Sequence, residues 1–283
     1  IGNSGAYFLN TFNIVPKKLD LLISGRYDRV YFDENNRLFS VQKSDRVFEK
    51  FTPKAALNWK LRPQIAVYAS AGRSFDSPAG NELDNYPTSS DPTGLLNPDL
   101  RPQKSNNFEL GIKGFLPYRF TTFFNDIYFE ATVFNYTIED EIVPFEVFGD
   151  VFFRNSGETT RRGLELGTQF EIVRGLRFES AYTFSDFTYN RYSARTIEIS
   201  NQGDLQVIDR DFSGNIVPSV PKHNISTSLS FERRFSPVVT GFVKGSYRGV
   251  SGMYVDDTNS NKTGRYDLFN GNLGLDIQLG QFN

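Results

Sequence analysis

The sequence predicts an all-β fold, the antiparallel wall of a transmembrane β-barrel with about eleven strands. Three observations predict it. Long stretches alternate apolar and polar residues at period two, which puts one kind of side chain on each face of an extended strand. The connections between these stretches are short and long in turn. The 283 residues include 28 Phe and 14 Tyr with one Trp, a content that suits the aromatic girdles that barrels carry at both membrane interfaces.

The elements follow in chain order. A first strand ends at the break Pro16-Lys17-Lys18, after which Leu19, Leu21, Ile23, Gly25 and Tyr27 oppose Asp20, Leu22, Ser24, Arg26 and Asp28. Further strands flank the breaks Leu61-Arg62-Pro63 and 115–119. From Gly163 the alternation is strict: Leu164, Leu166, Thr168, Phe170 and Ile172 lie on one side, with Gly163, Glu165, Gly167, Gln169 and Glu171 on the other. After Val173-Arg174-Gly175, Leu176, Phe178, Ser180, Tyr182 and Phe184 oppose Arg177, Glu179, Ala181, Thr183 and Ser185. His223, Ile225, Thr227, Leu229 and Phe231 then oppose Asn224, Ser226, Ser228, Ser230 and Glu232, ahead of the break at 233–237. The last run sets Phe269, Gly271, Leu273, Leu275, Ile277 and Leu279 against Asn270, Asn272, Gly274, Asp276, Gln278 and Gly280. It covers the roughly 9 to 11 residues a tilted strand needs to cross a bilayer, where soluble strands average about 5 to 6.

Alternation alone leaves open whether an apolar row meets a core or lipid. The connections decide. Those named above are short, whereas those at 29–48, 76–104, 139–157, 188–221 and 254–264 are long, most of them rich in Asn, Asp, Ser, Gly or Pro. Short turns on one rim and long loops on the other are the pattern of an outer-membrane barrel, and a soluble sandwich has no reason to adopt it. Leu164, Leu166, Phe170 and Ile172 are therefore expected to face lipid, and Glu165, Gln169 and Glu171 an aqueous lumen.

Composition narrows the function classes. Thirty-one basic against 33 acidic residues give a net charge of -2, so nucleic acid is not expected as a partner. No apolar run is long enough for a membrane helix, while a mean hydropathy of -0.41 is what an alternating wall would give. With no cysteine there is no disulfide framework, thiolate metal site or thiol nucleophile. The opening IGNSGAYFLN lacks an initiator Met and a signal peptide, and reads as part of a longer chain. Single-chain barrels close with an even strand count, because an open edge in lipid leaves backbone groups unpaired; an odd count near eleven predicts further strands.

Ordered short motifs carry a family resemblance. Arg26-Tyr27-Asp28, Phe51-Thr52-Pro53-Lys54-Ala55-Ala56-Leu57, and Tyr68 to Pro78 with Glu82-Leu83 resemble R-Y-D, F-x-P-K-x-x-L, and Y-x-x-x-x-x-x-F-x-x-P followed by E-L. Asn97 to Ser105, followed by Phe108-Glu109-Leu110-Gly111, resembles N-P-x-L-x-P-E-x-S-x-x-x-E-x-G, with Gln103 where Glu is usual. Asn155-Ser156-Gly157 and Arg162-Gly163-Leu164-Glu165 resemble N-x-G and R-G-x-E. In this order they are similar to the C-terminal half of the barrel of TonB-dependent outer-membrane receptors.

The resemblance implies that residues 1–283 are part of a barrel of about 22 strands, in the outer membrane of a Gram-negative bacterium. It also implies an N-terminal plug domain, a TonB box and closing strands outside this chain, and a receptor that is a monomer when complete. Its partners would be outer-membrane lipid and a TonB complex that drives uptake of a scarce ligand, foremost a ferric siderophore or related iron complex.

No catalytic constellation, cofactor site or metal site is expected, and the chain is not read as an enzyme. His223 is the only histidine, which rules out multi-His metal sites and leaves it as the first residue of a strand near the rim. Glu139-Asp140-Glu141 and Asp256-Asp257 offer carboxylates suited to calcium, but solvated loop charge is the simpler reading. Glu109 and Glu165 fall on lumen faces of different strands, which suits hydrogen bonding to a plug or neighbouring strands better than paired acid chemistry.

The expected ligand contacts lie in the long loops. Asn81 and Tyr86 in one, and Tyr189, Arg191, Tyr192 and Arg195 in another, combine aromatic, amide and guanidinium groups that can stack on and hydrogen-bond a polar ligand, Arg suiting anionic groups. Two other classes stay open: a passive porin with one loop folded into the lumen, and a soluble all-β carbohydrate-binding or adhesion module whose apolar rows would have to meet one another.

Overall fold

The computed structural model describes residues 1–35, 43–84, 95–117, 124–147, 150–155, 157–199 and 205–278. The elements are β1 (Gly2–Val15), β2 (Leu19–Asn35), β3 (Lys43–Arg62), β4 (Ile65–Asp76), α1 (Gly80–Leu83), β5 (Gln103–Leu116), β6 (Asn125–Glu139), β7 (Ile142–Val147) and β8 (Asp150–Asn155). They continue as β9 (Glu158–Val173), β10 (Leu176–Arg191), β11 (Ser193–Ile199), β12 (Leu205–Asp211), β13 (His223–Ser236), β14 (Val239–Val250) and β15 (Tyr266–Ile277).

An 11-stranded antiparallel sheet runs β1-β2-β3-β4-β5-β6-β9-β10-β13-β14-β15, and β7-β8 and β11-β12 form separate hairpins. The wall of eleven strands is as expected. Two of the expected loops, however, hold strands of their own, at 142–155 and 193–211. The connection expected at 29–48 is also mostly strand, since β2 continues to Asn35 and pairs there with Lys43 at the start of β3. Arg29, Asp33, Asp45 and Glu49 face the same way as Tyr31 and Val47 in this extension, so charge breaks the apolar row that marks a strand within lipid.

Register carries the two faces across the sheet. One hydrogen-bonded row runs Phe12, Leu21, Leu57, Ala69, Leu110, Val133, Leu164, Phe184, His223. A row of the other face runs Asn13, Asp20, Asn58, Tyr68, Gly111, Thr132, Glu165, Thr183, Asn224. Directly paired residues share a face, so both assignments propagate from strand to strand. Leu164 and Leu166 fall on the apolar face and Glu165 on the polar one, as the alternation requires. Among the described residues nothing covers the apolar face: Leu57, Leu110 and Val133 are 46%, 53% and 48% exposed. An apolar surface of this extent belongs in lipid, and it excludes a soluble module in which apolar rows pack together.

The buried cores sit at the long-loop end. Phe32, Phe48, Leu83, Leu96 and Leu100 form one, with Val30, Phe75, Ile142 and Phe153 packed against it. Tyr189, Tyr192, Ala194 and Phe212 form the other, joined by Val143 and Val217. The opposite rim is made of tight turns. At β9–β10, Gly175 takes φ +86, and a Cβ there would lie 2.3 Å from the Glu232 carbonyl oxygen. Only glycine meets both conditions without strain.

Candidate functional site: the loop cap above the lumen

Three long connections of the cap are held to the wall or to a neighbouring connection. The first, 77–102, folds over the upper lumen face of β2 and β3. Register places Phe32 and Phe48 on that face, where their rings meet edge-on at 6.1 Å under Leu83, Leu96 and Leu100. Arg46, also facing the lumen and 5.0 Å from the Phe48 ring centroid, donates to the Asn97 carbonyl and, at 2.8 Å, to that of Leu100. Asn97 itself is buried: its amide donates to the Leu83 carbonyl at 2.6 Å, and its side-chain oxygen accepts from the Asp99 amide at 3.0 Å.

The second connection is fastened through Asn155. Its Nδ2 donates to the carbonyls of Arg101 and Asp140 at 2.7 and 2.6 Å, and its Oδ1 accepts the Arg101 amide at 2.7 Å. One side chain thus ties the end of β8 to the loops ahead of β5 and after β6. Beside it, Asp140 accepts from Arg101 at 2.7 Å and from Lys104 at 3.4 Å. Burial alone would raise the Asp140 carboxyl, but Arg101 and Lys104 outweigh it and hold it below its ordinary range. Glu141 accepts Thr159 Oγ1 at 2.6 Å and pairs with Arg161. At the next residue of the motif, a Cβ on Gly157 would fall 1.4 Å from the Arg191 carbonyl oxygen.

The third connection, 251–265, is latched by Asp257. Tyr189 and Tyr192 donate their hydroxyls to its carboxylate at 2.9 and 3.3 Å, and Asn215 Nδ2 donates to its carbonyl at 2.7 Å. Burial, then the Asp257 charge, raises the Tyr192 hydroxyl, so it remains a donor at any physiological pH. Asn259 bonds reciprocally with the backbone of Ile216, at 2.8 and 2.9 Å. Asp256 closes the turn beneath: Thr258, then the amides of Ser260 and Asn261, donate to its carboxylate and hold it at about 2.

The expected ligand contacts separate into groups. Asn81 is exposed on α1, and Arg191 is exposed at the end of β10. Tyr189 and Tyr192 are only 5% and 2% exposed, with their hydroxyls engaged by Asp257. Tyr86 lies outside the described residues, as does the side chain of Arg195, which stands opposite Asp209 in the β11–β12 hairpin. Of the carboxylates considered for calcium, Glu139 is exposed, while Asp140, Glu141, Asp256 and Asp257 each accept from protein donors, and the described residues hold no metal-ligand group. His223 opens β13 on the lipid face, its Nδ1 2.9 Å from the Tyr182 hydroxyl.

Sequence reasoning missed Arg46, Asn97, Asn155 and Asp257 as the residues that fix the cap. Asn97 and Asn155 stood in the quoted motifs, which pointed to them without saying what they hold. Below the cap the lumen face is polar. Tyr136 donates to Glu109, the Tyr68 hydroxyl lies 2.7 Å from Thr132 Oγ1, Tyr128 donates to Glu130 at 2.6 Å, and Lys60 pairs with Asp20 at 2.6 Å.

Comparison with known proteins agrees with this architecture. The profile of the family described as TonB dependent receptor-like, beta-barrel, matches residues 1–283. The ferrioxamine B receptor of Salmonella typhimurium is 26% identical over 257 residues, 90% of this chain and 31% of that protein. The ferrichrome outer membrane transporter/phage receptor of Escherichia coli is 23% identical over 265 residues, 92% of this chain and 30% of that protein. The chain therefore spans about a third of the length of the curated relatives it matches. Among solved structures, the ferric yersiniabactin uptake receptor FyuA from Yersinia pestis superposes with a TM-score of 0.69 at 16% identity, covering 96% of this chain and 38% of that one. The two-faced wall, the alternation of turns and loops, and the family match over every residue lead to one assignment: the chain belongs to the β-barrel family of TonB-dependent receptors.

Proposed function

We propose that this chain forms part of the wall and much of the loop cap of an outer-membrane receptor for a ferric siderophore, taken up at the expense of energy delivered by a TonB complex. The observation that carries the reading is the ordered cap. Three loops, fixed by Arg46, Asn155 and Asp257, stand over a polar lumen face. Such a cap presents a shaped mouth before any ligand arrives, which lowers the ordering cost of binding. The ferrioxamine B and ferrichrome proteins are named for siderophores, and that supports the same ligand class here.

Within the cap, the exposed Asn81 and Arg191 are free to reach a ligand, and Tyr86 and Arg195 are proposed as further contacts on their residue types alone, while Tyr189 and Tyr192 position the third loop. The Arg side chains suit the negative charge that many ferric chelates carry. In the complete receptor, further strands close the sheet, and the lumen-facing Glu109 and Glu165 meet the plug.

A test uses the full-length receptor in its host. Ferric siderophores of catecholate, hydroxamate and carboxylate type are offered to a strain that lacks other receptors. Uptake of one class is expected, and it should stop when the proton gradient is collapsed or TonB is deleted. Arg191→Ala should weaken binding of that chelate by roughly tenfold, the scale of one charge-assisted hydrogen bond. Uptake that continued without an energy source would instead favour a passive porin.

A further inference from the structure

The short-turn rim carries charge that the transport reading does not use. The four described turns and the strand ends beside them, 16–18, 62–64, 174–175 and 233–238, hold six basic residues, Lys17, Lys18, Arg62, Arg174, Arg233 and Arg234, and no carboxylate. Toward the long loops the cations are matched: Arg101, Lys104, Arg161, Arg162 and Arg265 each pair with Asp or Glu. At the turns they are not. Lys17, Lys18, Arg174 and Arg233 are exposed and meet no carboxylate among the described residues. Arg234 donates to carbonyls of its own turn, that of Ser236 at 3.1 Å and that of Pro237. The carboxylates nearest the tips are engaged or turned inward: Lys60 holds Asp20 at 2.6 Å, the Gly175 amide holds Glu171 at 2.7 Å, and Glu232 lies on the lumen face.

Two features set this charge apart from a solvated surface. Lys17 takes φ 63, in the left-handed region where glycine or asparagine sits with less strain, so a lysine is kept there at a cost. The charge also lies on both sides of the wall. Register sets Arg233 opposite Gly241 on the lipid side and Arg234 opposite Thr240 on the lumen side. Lys60 and Lys113 continue inward, lining a lumen cavity of about 570 Å³ that reaches Pro63 and Gln64. Headgroups of the adjoining leaflet touch the outer side alone, whereas a body seated across the mouth meets all of these groups.

We propose that this rim docks a soluble protein of the periplasm that presents clustered carboxylates across the lumen mouth. The proposal rests on the outer-membrane reading, which puts the short turns on the periplasmic side. Turns recur about every 10 Å, two strand spacings, so the cations span roughly 40 Å of rim. One small anion cannot bridge that width, but the acidic face of a protein can meet several tips at once. Attraction between opposite patches draws the partner in and fixes its orientation, and salt weakens both effects.

The test places a photoreactive phenylalanine analogue at the exposed Gln64 of the full-length receptor in its host, and mass spectrometry identifies what it traps. A soluble protein is expected, joined through a stretch rich in Asp and Glu. Lys17→Gln, Lys18→Gln, Arg174→Gln and Arg233→Gln together should cut its yield by at least about fivefold, while Lys17→Arg with Lys18→Arg should preserve it. The same probe at Asn81, at the other end of the wall, should not trap this protein. Uptake of ferric chelate by the unaltered receptor is measured alongside, so that failure of the transport reading shows separately. TonB or phospholipid as the only adduct, no adduct, or a yield indifferent to the four charges would each overturn the proposal. If the fourfold variant fails to insert, Arg174→Gln with Arg233→Gln alone, both at exposed positions, keeps the comparison decisive.

Discussion

Asp257 is one carboxylate under two buried phenols, and its removal leaves both hydroxyls without an acceptor. An unsatisfied buried polar group costs roughly 1–3 kcal/mol. Asp257→Ala should therefore speed amide exchange across 251–265 in the full-length receptor by at least tenfold; unchanged exchange would show that the latch does not hold the loop. Gly157→Ala acts through space alone, since the added methyl would overlap the Arg191 carbonyl. The folded, heat-modifiable fraction of this variant should drop sharply. Asp256 gives a pH signature. Its folded value of about 2 lies below the usual carboxylate value near 3.9, so the stability it supplies is complete above about pH 4 and lost as pH falls through 2. The Ser260 and Asn261 amides should stay protected at pH 4 and open near pH 2, while Asp256→Ala should leave them open at both.

At the scale of the strand, each face tolerates a different substitution. Leu110→Arg puts a cation on the lipid face, at a cost of about 2–4 kcal/mol near the bilayer midplane, whereas Ser226→Arg points the same charge into the lumen. Outer-membrane yield should fall for the first and hold for the second, and equal yields would contradict the assignment of faces. This level was the most legible in the sequence. Leu164 to Ile172 and Leu176 to Phe184 announced their strands because lipid and water impose opposite demands on alternate residues. Legibility failed above the membrane. There the extensions of β2 and β3 and the hairpin β7-β8 pack residues such as Phe32, Phe48, Ile142 and Phe153 on a cap core that forms only once distant loops meet, and charged positions such as Arg29 and Asp45 on the other face read as loop. The site was legible in part. Loop composition led to Tyr189 and Tyr192, but their burial comes from contacts with Phe212 and Asp257, distant in sequence, which no local pattern encodes.

In the whole molecule, the buried apolar clusters belong to the cap and the apolar rows of the wall belong to the lipid. Cap and wall should then lose structure separately. Leu83→Ala, which empties the centre of one cap core at a cost of about 2–5 kcal/mol, should lower a first calorimetric transition of the full-length receptor and leave the later one in place. A single shifted transition would mean that the two melt as one. The long row from Phe12 to His223 has a mechanical counterpart. It links nine neighbouring strands through backbone bonds that run around the circumference, as in the hoop of a cask. Outward pressure on any one stave is therefore shared along the hoop with its neighbours, and no single strand of the row gives way alone.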